Sequence, residues 1–454
     1  YDIRGIYGET LHEKDAFVLG QIMGYLSSSH PKKFAIVGRD GRYSSPSLET
    51  ELCRGLVSSG INVMRIGLVP SPQLYFINAI TQSSLAIMVT GSHNPGNYNG
   101  FKIVKNGKPF FGEDLRKMAN VARTYIPPHK LCKIFIAKTS QCYVQRLMDE
   151  IKTIRPFRVA WDPGNGAACP IVSELAKALR GEHFVINEKV DGQFPAHHPD
   201  PTVPKNLVQL QELVMRERCD VGFAFDGDGD RIGVISNTGE IIWGDKLLAL
   251  LARDVLRDLP GSTIIGDVKS SQTLFDEISR LGGTPHRAPT GHSIIKSEME
   301  RLHAPLAGEM SGHIFFAHKY YGFDDALYSA MRVLALMEKE GQPIQALADQ
   351  LPKTYATPEI RLPIRDGSQD QLLHDMEGQL GDYTLDHTDG VRAMHPDKSW
   401  ILLRASHTES LIVVRIEAPS QGRLQEICSS LYAMLQTPNY ASYNLDLTDL
   451  SEAT

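Results

Sequence analysis

The sequence has no apolar run long enough to span a membrane and no segment with the pattern of a signal peptide. It also lacks a surplus of positive charge, because 47 Lys and Arg residues stand against 53 Asp and Glu residues, a formal net charge of −6. A chain of this charge gives no electrostatic case for nucleic acid or an anionic membrane as the main partner. We therefore predict neither kind of partner.

Cysteine is scarce and scattered. The six cysteines form no CxxC pair and have no regular spacing. This absence argues against a disulfide framework or a zinc ribbon, and it predicts a reducing compartment, the cytoplasm.

The length and patterning of the chain indicate several α/β domains. At 454 residues the chain is too long for one hydrophobic core. Short β-rich runs alternate with amphipathic stretches of helical length. A strand followed by a polar turn and a helical pattern occurs three times, as "FAIVGRDGRYSSP", "FRVAWDPGNGAACP" and "STIIGDVKSSQTLF". A strand, a tight polar loop and a second strand also occur three times, as "LAIMVTGSHNPGNYNGFKIV", "VGFAFDGDGDRIGVIS" and "PLAGEMSGHIFF".

These repeats predict three similar mixed-sheet α/β domains, each offering one loop to a common place. A different pattern of strands with a closing amphipathic helix follows, which predicts a smaller α+β domain at the C-terminal end. The predicted boundaries are 1–139, 140–245, 246–353 and 354–454.

The stretch "FAFDGDGDR" places three aspartates at alternate positions after a buried strand: Asp226, Asp228 and Asp230. Glycine spacers let the backbone bend tightly, and alternate side chains share one face. Carboxylate oxygens are ligands for Mg²⁺, with Mn²⁺ and Ca²⁺ as other candidates. The pattern therefore predicts a metal site.

This aspartate motif has three alternative interpretations: two other functional motifs and a purely structural turn. An EF-hand needs Gly and Glu where this chain has Arg231 and Asn237. A phosphatase-like strand end would use Asp226 as the nucleophile, although the fifth position of that motif is here Asp230. The structural reading is a polar turn with solvated carboxylates.

The stretch "VTGSHNPGNYNGFKI" places Ser92 in a loop rich in Gly and Asn after another buried strand. The loop is not a GxSxG elbow, because Thr90 and Asn94 occupy the glycine positions. A serine in such a turn is most often structural. A phosphorylated serine would instead present oxygens to a metal ion and become a phosphoryl donor. His93 and Lys102 lie in the same stretch and would be further polar groups of such a site.

Further loops contribute polar side chains. "AGEMSGHIFF" offers Glu309, Ser311 and His313, which suit a grip on neighbouring sugar hydroxyls but also suit a turn or helix cap. "RASHTES" combines Arg404 with small hydroxyls, which suits a phosphate. "PTGHSIIKSEM" places His292 where a helix begins, and "YDIRG" adds Arg4.

Taken together, these stretches resemble the α-D-phosphohexomutase superfamily. The resemblance rests on eight motifs in order along the chain: "YDIRG", "TGSHNPGNYNGFK", "FDGDGDR", "DVKSS", "TGHS", "GEMSGH", "YYGFDDAL" and "RASHTES". It implies four domains around a central cleft. It also implies a Mg²⁺-dependent enzyme that moves a phosphoryl group between a serine and a hexose phosphate, through a 1,6-bisphosphate intermediate that reorients in the cleft.

The resemblance also implies roles for single residues. Those implied at the chemical step are Ser92, His93, Lys102, Arg4, Arg231 and His313. Those implied in substrate binding are Tyr1, Lys269, Gly291, His292, Glu309, Ser311, Arg404, Ser406, His407 and Thr408. The implied magnesium ligands are Ser92 as phosphoserine, Asp226, Asp228 and Asp230. As a general base among cations, Lys102 is expected to have a depressed pKa.

Several expectations concern cofactors and specificity. The resemblance implies one Mg²⁺ per chain, glucose 1,6-bisphosphate or a similar activator, small hexose phosphates as substrates, and a monomer. Met310 resembles the dual-specificity mannose and glucose members rather than the glucosamine mutases. The phosphate loop departs from the family, which usually has Asn and Pro where this chain has His407 and Ser410. A phosphoglucosamine mutase, a Mg²⁺-dependent sugar phosphatase and a sugar-phosphate sensor stay open as alternatives.

Overall fold

The computed structural model describes residues 2–27, 34–122, 132–151, 155–364, 369–406 and 410–452. Four β-sheets follow one another along this part of the chain. The first three mix parallel and antiparallel strands, and the fourth is antiparallel. This confirms the predicted fold class. We name domains I to IV by these sheets, and the exact boundaries stay predictions.

Domain I has a seven-stranded sheet in the order β1-β5-β4-β2-β3-β7, with β6 paired to β5. Its strands are β1 (Ile3–Ile6), β2 (Phe34–Arg39), β3 (Asn62–Leu68), β4 (Leu85–Val89), β5 (Tyr98–Lys105), β6 (Lys108–Pro109) and β7 (Ile134–Ile136). Its helices are α1 (Glu13–Leu26), α2 (Ser45–Ser58), α3 (Ser71–Thr81) and α4 (Glu113–Ala122).

Domain II has a five-stranded sheet in the order β12-β11-β10-β8-β9. Its helices and strands are α5 (Ser140–Met148), β8 (Phe157–Asp162), α6 (Cys169–Ala178), β9 (Gly181–Val185), α7 (Val208–Glu217), β10 (Val221–Phe225), β11 (Ile232–Ser236) and β12 (Ile241–Ile242).

Domain III repeats this plan with the order β14-β13-β15-β16-β17. Its helices and strands are α8 (Gly244–Asp258), β13 (Thr263–Asp267), α9 (Gln272–Arg280), β14 (Thr284–Ala288), α10 (His292–Leu302), β15 (Leu306–Gly308), β16 (Ile314–Phe316), β17 (Phe323–Asp324), α11 (Ala326–Glu340) and α12 (Ile344–Ala348).

Domain IV has the antiparallel order β18-β23-β22-β21-β20, with β19 paired to β23. Its helices and strands are β18 (Tyr355–Ala356), β19 (Ile360–Pro363), α13 (Gln369–Glu377), β20 (Thr384–Asp386), β21 (Val391–Met394), β22 (Trp400–Ala405), β23 (Leu411–Ala418), α14 (Gln421–Leu435) and α15 (Thr448–Glu452). No helix in the part of the chain that the structure describes is long and apolar enough to cross a membrane.

The packing joins the first three domains more closely than the fourth. One apolar cluster runs through the sheets of domains I, II and III and includes Tyr75, Trp161 and Leu327. Domain IV has a cluster of its own. It contacts domain III through a small apolar cluster of Val268, Trp400 and Leu402 and through Arg392, whose guanidinium donates to the carbonyls of Val268 and Ser270.

Each of the first three sheets contains an antiparallel hairpin. These hairpins are β4–β5, β10–β11 and β15–β16. Their loops meet. The Ser92 hydroxyl of the first donates to Asp226 of the second (3.0 Å), and the amide of Ile232, after the second, donates to the Gly312 carbonyl of the third (3.0 Å). The predicted convergence of three loops is therefore present.

Asp325, which precedes α11, gives a prediction about stability. Its buried carboxyl accepts hydrogen bonds from the hydroxyls of Tyr143 and Tyr320, and burial raises its pKa to about 7. Above the usual carboxyl pKa and below 7, the folded chain holds a proton that the unfolded chain releases. Stability from this group is therefore complete at acid pH and falls by up to about 1.4 kcal/mol per pH unit as pH rises towards 7.

The Asp325→Asn variant should therefore gain melting temperature relative to the unsubstituted protein as pH rises from acid to neutral. Scanning calorimetry or fluorimetry across this range measures the difference. Asp349→Asn on an exposed turn is the matched control. A difference that is constant with pH would contradict the prediction.

Candidate active site

Ser92 lies in the β4–β5 loop and is buried, with 1% of its surface exposed. Its backbone is in the left-handed region at φ 50°, which a serine rarely adopts. The loop over-determines this conformation, because the Ser92 amide donates to Thr90 Oγ1 (2.8 Å) and the Ser92 carbonyl accepts from Arg42 Nη2 (2.7 Å). The hydroxyl is thus aimed by a fixed backbone.

Asp40 and Arg42, which follow β2, support the serine loop. The Arg42 guanidinium also donates to the Asn94 carbonyl (2.6 Å) and is held by Asp40 through Nε (3.0 Å). Asp40 Oδ2 in turn accepts from Thr90 Oγ1 at 2.8 Å. Both residues are 1% exposed, so this is a buried ionic frame beneath the loop. The stretch "GRDGR" carries them in the sequence, but nothing local marks them as supports.

The aspartate loop, after β10, lies directly against Ser92. The Ser92 hydroxyl donates to Asp226 Oδ2 at 3.0 Å, across 134 residues of chain. A Cβ on Gly227 would lie 2.3 Å from the Ser92 carbonyl oxygen, so only glycine allows the two loops to come this close. The fold therefore brings the serine motif and the aspartate motif into contact.

Three carboxylates and one ammonium group share this buried place. Burial, with the charges of Asp230 and Asp228, raises the pKa of Asp226 well above its usual value. Lys102 Nζ donates to Asp228 Oδ2 (2.7 Å) and to Asp230 Oδ2. Burial would lower the pKa of Lys102, but these two carboxylates raise it well above its usual value. The prediction of a depressed pKa for Lys102 is therefore wrong for these contacts, because carboxylates and not cations are its nearest partners.

The aspartate cluster fits a divalent cation. One oxygen from each of Asp226, Asp228 and Asp230 lies within 4.8 Å of the others, and all three side chains are buried. Asp228 Oδ1 and Asp230 Oδ1 have no hydrogen-bond partner among the described residues. Buried carboxylate oxygens without donors are costly unless a cation satisfies them, and an all-oxygen donor set suits Mg²⁺.

Two histidines flank this cluster, and each lies between two charged side chains. His313 Nε2 accepts from Arg231 Nε (2.9 Å), while its Nδ1 lies 3.0 Å from Asp324 Oδ2. His292 Nε2 lies 3.1 Å from Asp2 Oδ2. Its Nδ1 accepts from the ammonium of Lys296 at 3.2 Å. The two rings stack with centroids 5.6 Å apart.

His93 is the neighbour of Ser92 and lies among cations. The charge of Arg231, followed by burial and the charge of Arg4, holds the pKa of His93 well below its usual value. Its Nδ1 lies 3.4 Å from Ser92 Oγ. A histidine kept neutral in this way can accept a proton. Arg4 itself donates to Asn94 Oδ1 at 2.7 Å, on the same loop.

The β15–β16 loop presents the predicted sugar-binding groups. Glu309 Oε1 accepts from the Gly291 amide (2.6 Å), and Glu309 Oε2 accepts from the Ser311 hydroxyl (2.9 Å). Burial would raise the pKa of Glu309, but the charge of His313 and these bonds lower it. Lys269 extends from the end of β13 to Glu359 of domain IV, with Nζ and Oε2 at 3.1 Å.

Domain IV contributes Arg404, at the end of β22. Its Nε donates to Asp389 Oδ2 (2.8 Å), and Asp389 also accepts from the Thr290 amide of domain III (3.1 Å). Ser406 follows, with its amide bonded to the Leu411 carbonyl (3.0 Å). The predicted residues Tyr1, His407 and Thr408 lie outside the described residues. At the site of the usual proline, the Ser410 hydroxyl donates to the Ile364 carbonyl at 3.0 Å.

Sequence reasoning missed four residues of this site: Asp2, Asp40, Arg42 and Asp324. Asp2 and Asp324 stand inside quoted motifs, "YDIRG" and "YYGFDDAL", which is the only signal that was available. Their contacts join parts of the chain far apart, such as Asp2 with His292, 290 residues away. Such contacts leave no local pattern.

Comparisons with known proteins cover nearly the whole chain. Residues 1–125, 138–239 and 243–355 match the models for "Phosphoglucomutase/phosphomannomutase, alpha/beta/alpha" domains I, II and III. Residues 359–434 match the C-terminal domain of the same group. The chain belongs to the phosphoglucomutase/phosphomannomutase family. The family resemblance indicated by the eight sequence motifs is thereby confirmed.

Relatives within this family are similar along their full length. The phosphomannomutase/phosphoglucomutase of Pseudomonas syringae pv. tomato is 41% identical over 438 residues, 96% of this chain and 94% of that protein. The phosphoglucomutase of Neisseria gonorrhoeae is 37% identical, with 96% of each chain covered. A crystal structure of a phosphoglucomutase/phosphomannomutase family protein from Burkholderia thailandensis superposes with a TM-score of 0.89, at 36% identity and 96% coverage of both chains.

Proposed function

We propose that this chain is a Mg²⁺-dependent phosphohexomutase that interconverts the 6-phosphates and 1-phosphates of mannose, glucose or both. The observation that carries the proposal is the contact between the Ser92 hydroxyl and Asp226, inside a buried cluster of three aspartates and Lys102. Full-length relatives named phosphomannomutase/phosphoglucomutase support the reaction class.

In the proposed reaction, phosphoserine 92 gives its phosphoryl group to a free hydroxyl of a hexose monophosphate. The bond from phosphorus to Ser92 Oγ breaks and a bond to the sugar oxygen forms. A base takes the proton of the sugar hydroxyl, and the freed Ser92 oxygen takes up a proton. The hexose 1,6-bisphosphate then reorients, and its other phosphoryl group returns to Ser92 by the reverse steps. The product is the isomeric monophosphate, and the phosphoserine is restored.

The contacts of the site divide the tasks between neighbouring side chains. Lys102 is held protonated by Asp228 and Asp230, so we assign it to offsetting the charge of the transferring group. Arg231 shares this task and is oriented by His313. The low pKa of His93 keeps its ring neutral beside Ser92 Oγ, so we assign it to accepting the proton of the sugar hydroxyl.

We propose that Asp226, Asp228 and Asp230 hold one Mg²⁺ together with an oxygen of phosphoserine 92. When bound, the ion would stabilise negative charge on the phosphoryl group. Glucose 1,6-bisphosphate would serve as activator, since it can phosphorylate a serine that has lost its group.

The proposed substrate contacts explain how one site can accept a sugar in two orientations. Glu309 and Ser311 form a pair of groups that grip two neighbouring hydroxyls, O3 and O4, and these hydroxyls present the same pattern after the sugar is turned around. No contact to C2 is assigned, which would tolerate both mannose and glucose. Arg404, Ser406, His407 and Thr408 are proposed to bind the phosphate that is not reacting, with Lys269 and His292 completing the site.

The test is mass spectrometry of the intact protein and of its peptides. After incubation with glucose 1,6-bisphosphate and Mg²⁺, we expect one phosphate on the peptide that contains Ser92, and we expect glucose 1-phosphate to discharge it. Persistent absence of phosphate on this peptide would overturn the proposal. Steady release of inorganic phosphate without isomer would indicate a phosphatase, and faster turnover of glucosamine phosphates would indicate a phosphoglucosamine mutase.

Glu309→Gln tests the sugar-binding loop separately. The variant keeps the shape of the side chain but loses the charge, so two charge-assisted hydrogen bonds to sugar hydroxyls weaken by roughly 1.5 kcal/mol each. We expect kcat/KM to fall by about 100-fold, while phosphorylation of Ser92 remains. Steady-state kinetics and mass spectrometry measure both. Glu298→Gln, an ion-paired surface carboxylate on α10, is the control and should leave kcat/KM unchanged.

A further inference from the structure

A cavity of about 880 Å³ lies between domains I and III. It is lined by the C-terminal half of α3, the turn between β5 and β6, the C-terminal half of α10, and residues 317–323. A volume of this size is that of a small-molecule site. Neither the aspartate cluster nor the sugar-binding loop lines it, so the proposed reaction does not account for it.

Tyr75 and Lys296 connect this cavity with the catalytic cluster. Both line the cavity. On the other side, Lys296 donates to Asp324 Oδ1 (3.0 Å) and to His292 Nδ1 (3.2 Å). The Lys296 ammonium also lies over the Tyr75 ring, 4.6 Å from its centroid. A molecule that contacts Lys296 would therefore contact a direct partner of His292 and of Asp324, and Asp324 in turn lies against His313.

Two structural elements run from the catalytic cluster to the cavity. Strand β5 carries Lys102 at the catalytic cluster and Val104 at the cavity. Helix α10 begins with His292 at the catalytic cluster and carries Met299 at the cavity. Displacement of either element by an occupant would be felt at both ends, because packed elements move as units.

The lining chemistry indicates which class of molecule fits. The ionisable side chains of the lining, apart from the tyrosines, are Lys296, Glu300 and His303. Lys296 is paired with Asp324 at 3.0 Å, and Glu300 is paired with Lys108 at 2.6 Å. Among the described lining residues, no lysine or arginine is left without an acidic partner to bind a phosphate or a carboxylate. Three aromatic rings line the cavity, Tyr75, Phe323 and the half-exposed Tyr321. The uncharged polar residues of the lining are Asn78, Gln82, Ser83 and Asn106.

We propose that this interdomain cavity is a second small-molecule site, which binds a neutral, flat heteroaromatic compound of nucleoside size and slows catalysis through Lys296 and Tyr75. Aromatic rings supply stacking surfaces, and the amide and hydroxyl groups supply hydrogen bonds for ring edges. Stacking of a ligand on Tyr75 competes with the contact of Lys296 on the same ring. The binding claim is independent of the proposed mutase reaction, whereas the effect on turnover rests on it.

The test uses adenosine as the probe and the full-length protein. Ligand-observed saturation-transfer NMR measures binding, with ribose as the comparison that lacks the flat base. Ala317→Trp places an indole in the cavity from an exposed position. Ala79→Phe places a phenyl ring in the cavity from α3 and is used if the first variant does not fold. Ala178→Trp, exposed at the end of α6 and far from the lining residues, is the matched control.

We expect adenosine to bind the unsubstituted protein and Ala178→Trp with equal affinity, and the cavity-filling variant more than about tenfold more weakly. Saturating adenosine should lower kcat at least about twofold in the first two proteins and leave the cavity-filling variant unchanged. Absence of binding into the millimolar range, or equal binding to the cavity-filling variant, overturns the site. Binding that is lost with the cavity but never changes kcat overturns the coupling. If no protein isomerises hexose phosphates, the mutase proposal fails while the NMR result still decides the site.

Discussion

Replacing Ser92 by alanine is expected to lower the rate of hexose phosphate isomerisation by more than about 10⁴-fold, the scale of loss when a covalent nucleophile is removed. In the proposed reaction the Ser92 hydroxyl is the only carrier of the phosphoryl group between the two half-reactions. The neighbouring hydroxyls of Thr90 and Ser71 are already engaged, the first with the Ser92 amide and Asp40 and the second with Asp228. A coupled assay for glucose 6-phosphate formation measures the loss.

The same substitution should change stability little, because the Ser92 side chain loses one hydrogen bond to Asp226, worth about 1 kcal/mol. Ser84→Ala is the matched control: Ser84 is buried just before β4 and donates to the Phe34 carbonyl at 3.0 Å. This control should keep full activity with a similar small loss of melting temperature. Residual isomerisation in Ser92→Ala above one part in a thousand would contradict the assigned role.

Replacing Lys102 by methionine is expected to destabilise the protein in the presence of a metal chelator by about 3–5 kcal/mol, the cost of leaving a buried ion pair without one partner. The variant keeps the volume of the side chain but removes the ammonium that contacts Asp228 and Asp230. Three buried carboxylates would then lie together without this counter-charge. Activity should fall by at least about 10³-fold as well, since the charge of the transferring group loses its partner.

Two dependences separate this explanation from loss of packing. First, Mg²⁺ should raise the melting temperature of Lys102→Met by more than that of the unsubstituted protein. Second, the destabilisation should shrink as pH falls, because carboxyls whose pKa values are raised in the folded state contribute stability below their unfolded pKa and lose it as pH rises. Lys105→Met, half-buried on the opposite face of β5, should show neither. Equal responses of the two variants would refute the charge argument.

Much of the fold and of the site could be predicted from the sequence. The three hairpin loops were predicted because each combines a buried strand, glycine and a cluster of polar residues within about ten positions. The contact between Ser92 and Asp226 follows from placing two such loops at one point. The supports of the site were not predicted, because Arg42 and Asp40 act through carbonyls and hydroxyls about 50 residues away, and arginines and aspartates in a polar turn are usually exposed.

The sequence by itself determined which chemical groups the loops carry and in which order along the chain, since these depend on local patterns of strand, glycine and polar residue. The tertiary structure alone decided which charges become neighbours. Lys102 lies ten positions after Ser92 in the sequence, yet its pKa is set by Asp228 and Asp230, more than 120 residues away. The cavity behind Tyr75 and Lys296 likewise exists only because domain I packs against domain III. Electrostatics and cavities depend on distances in space, which the order of residues does not contain.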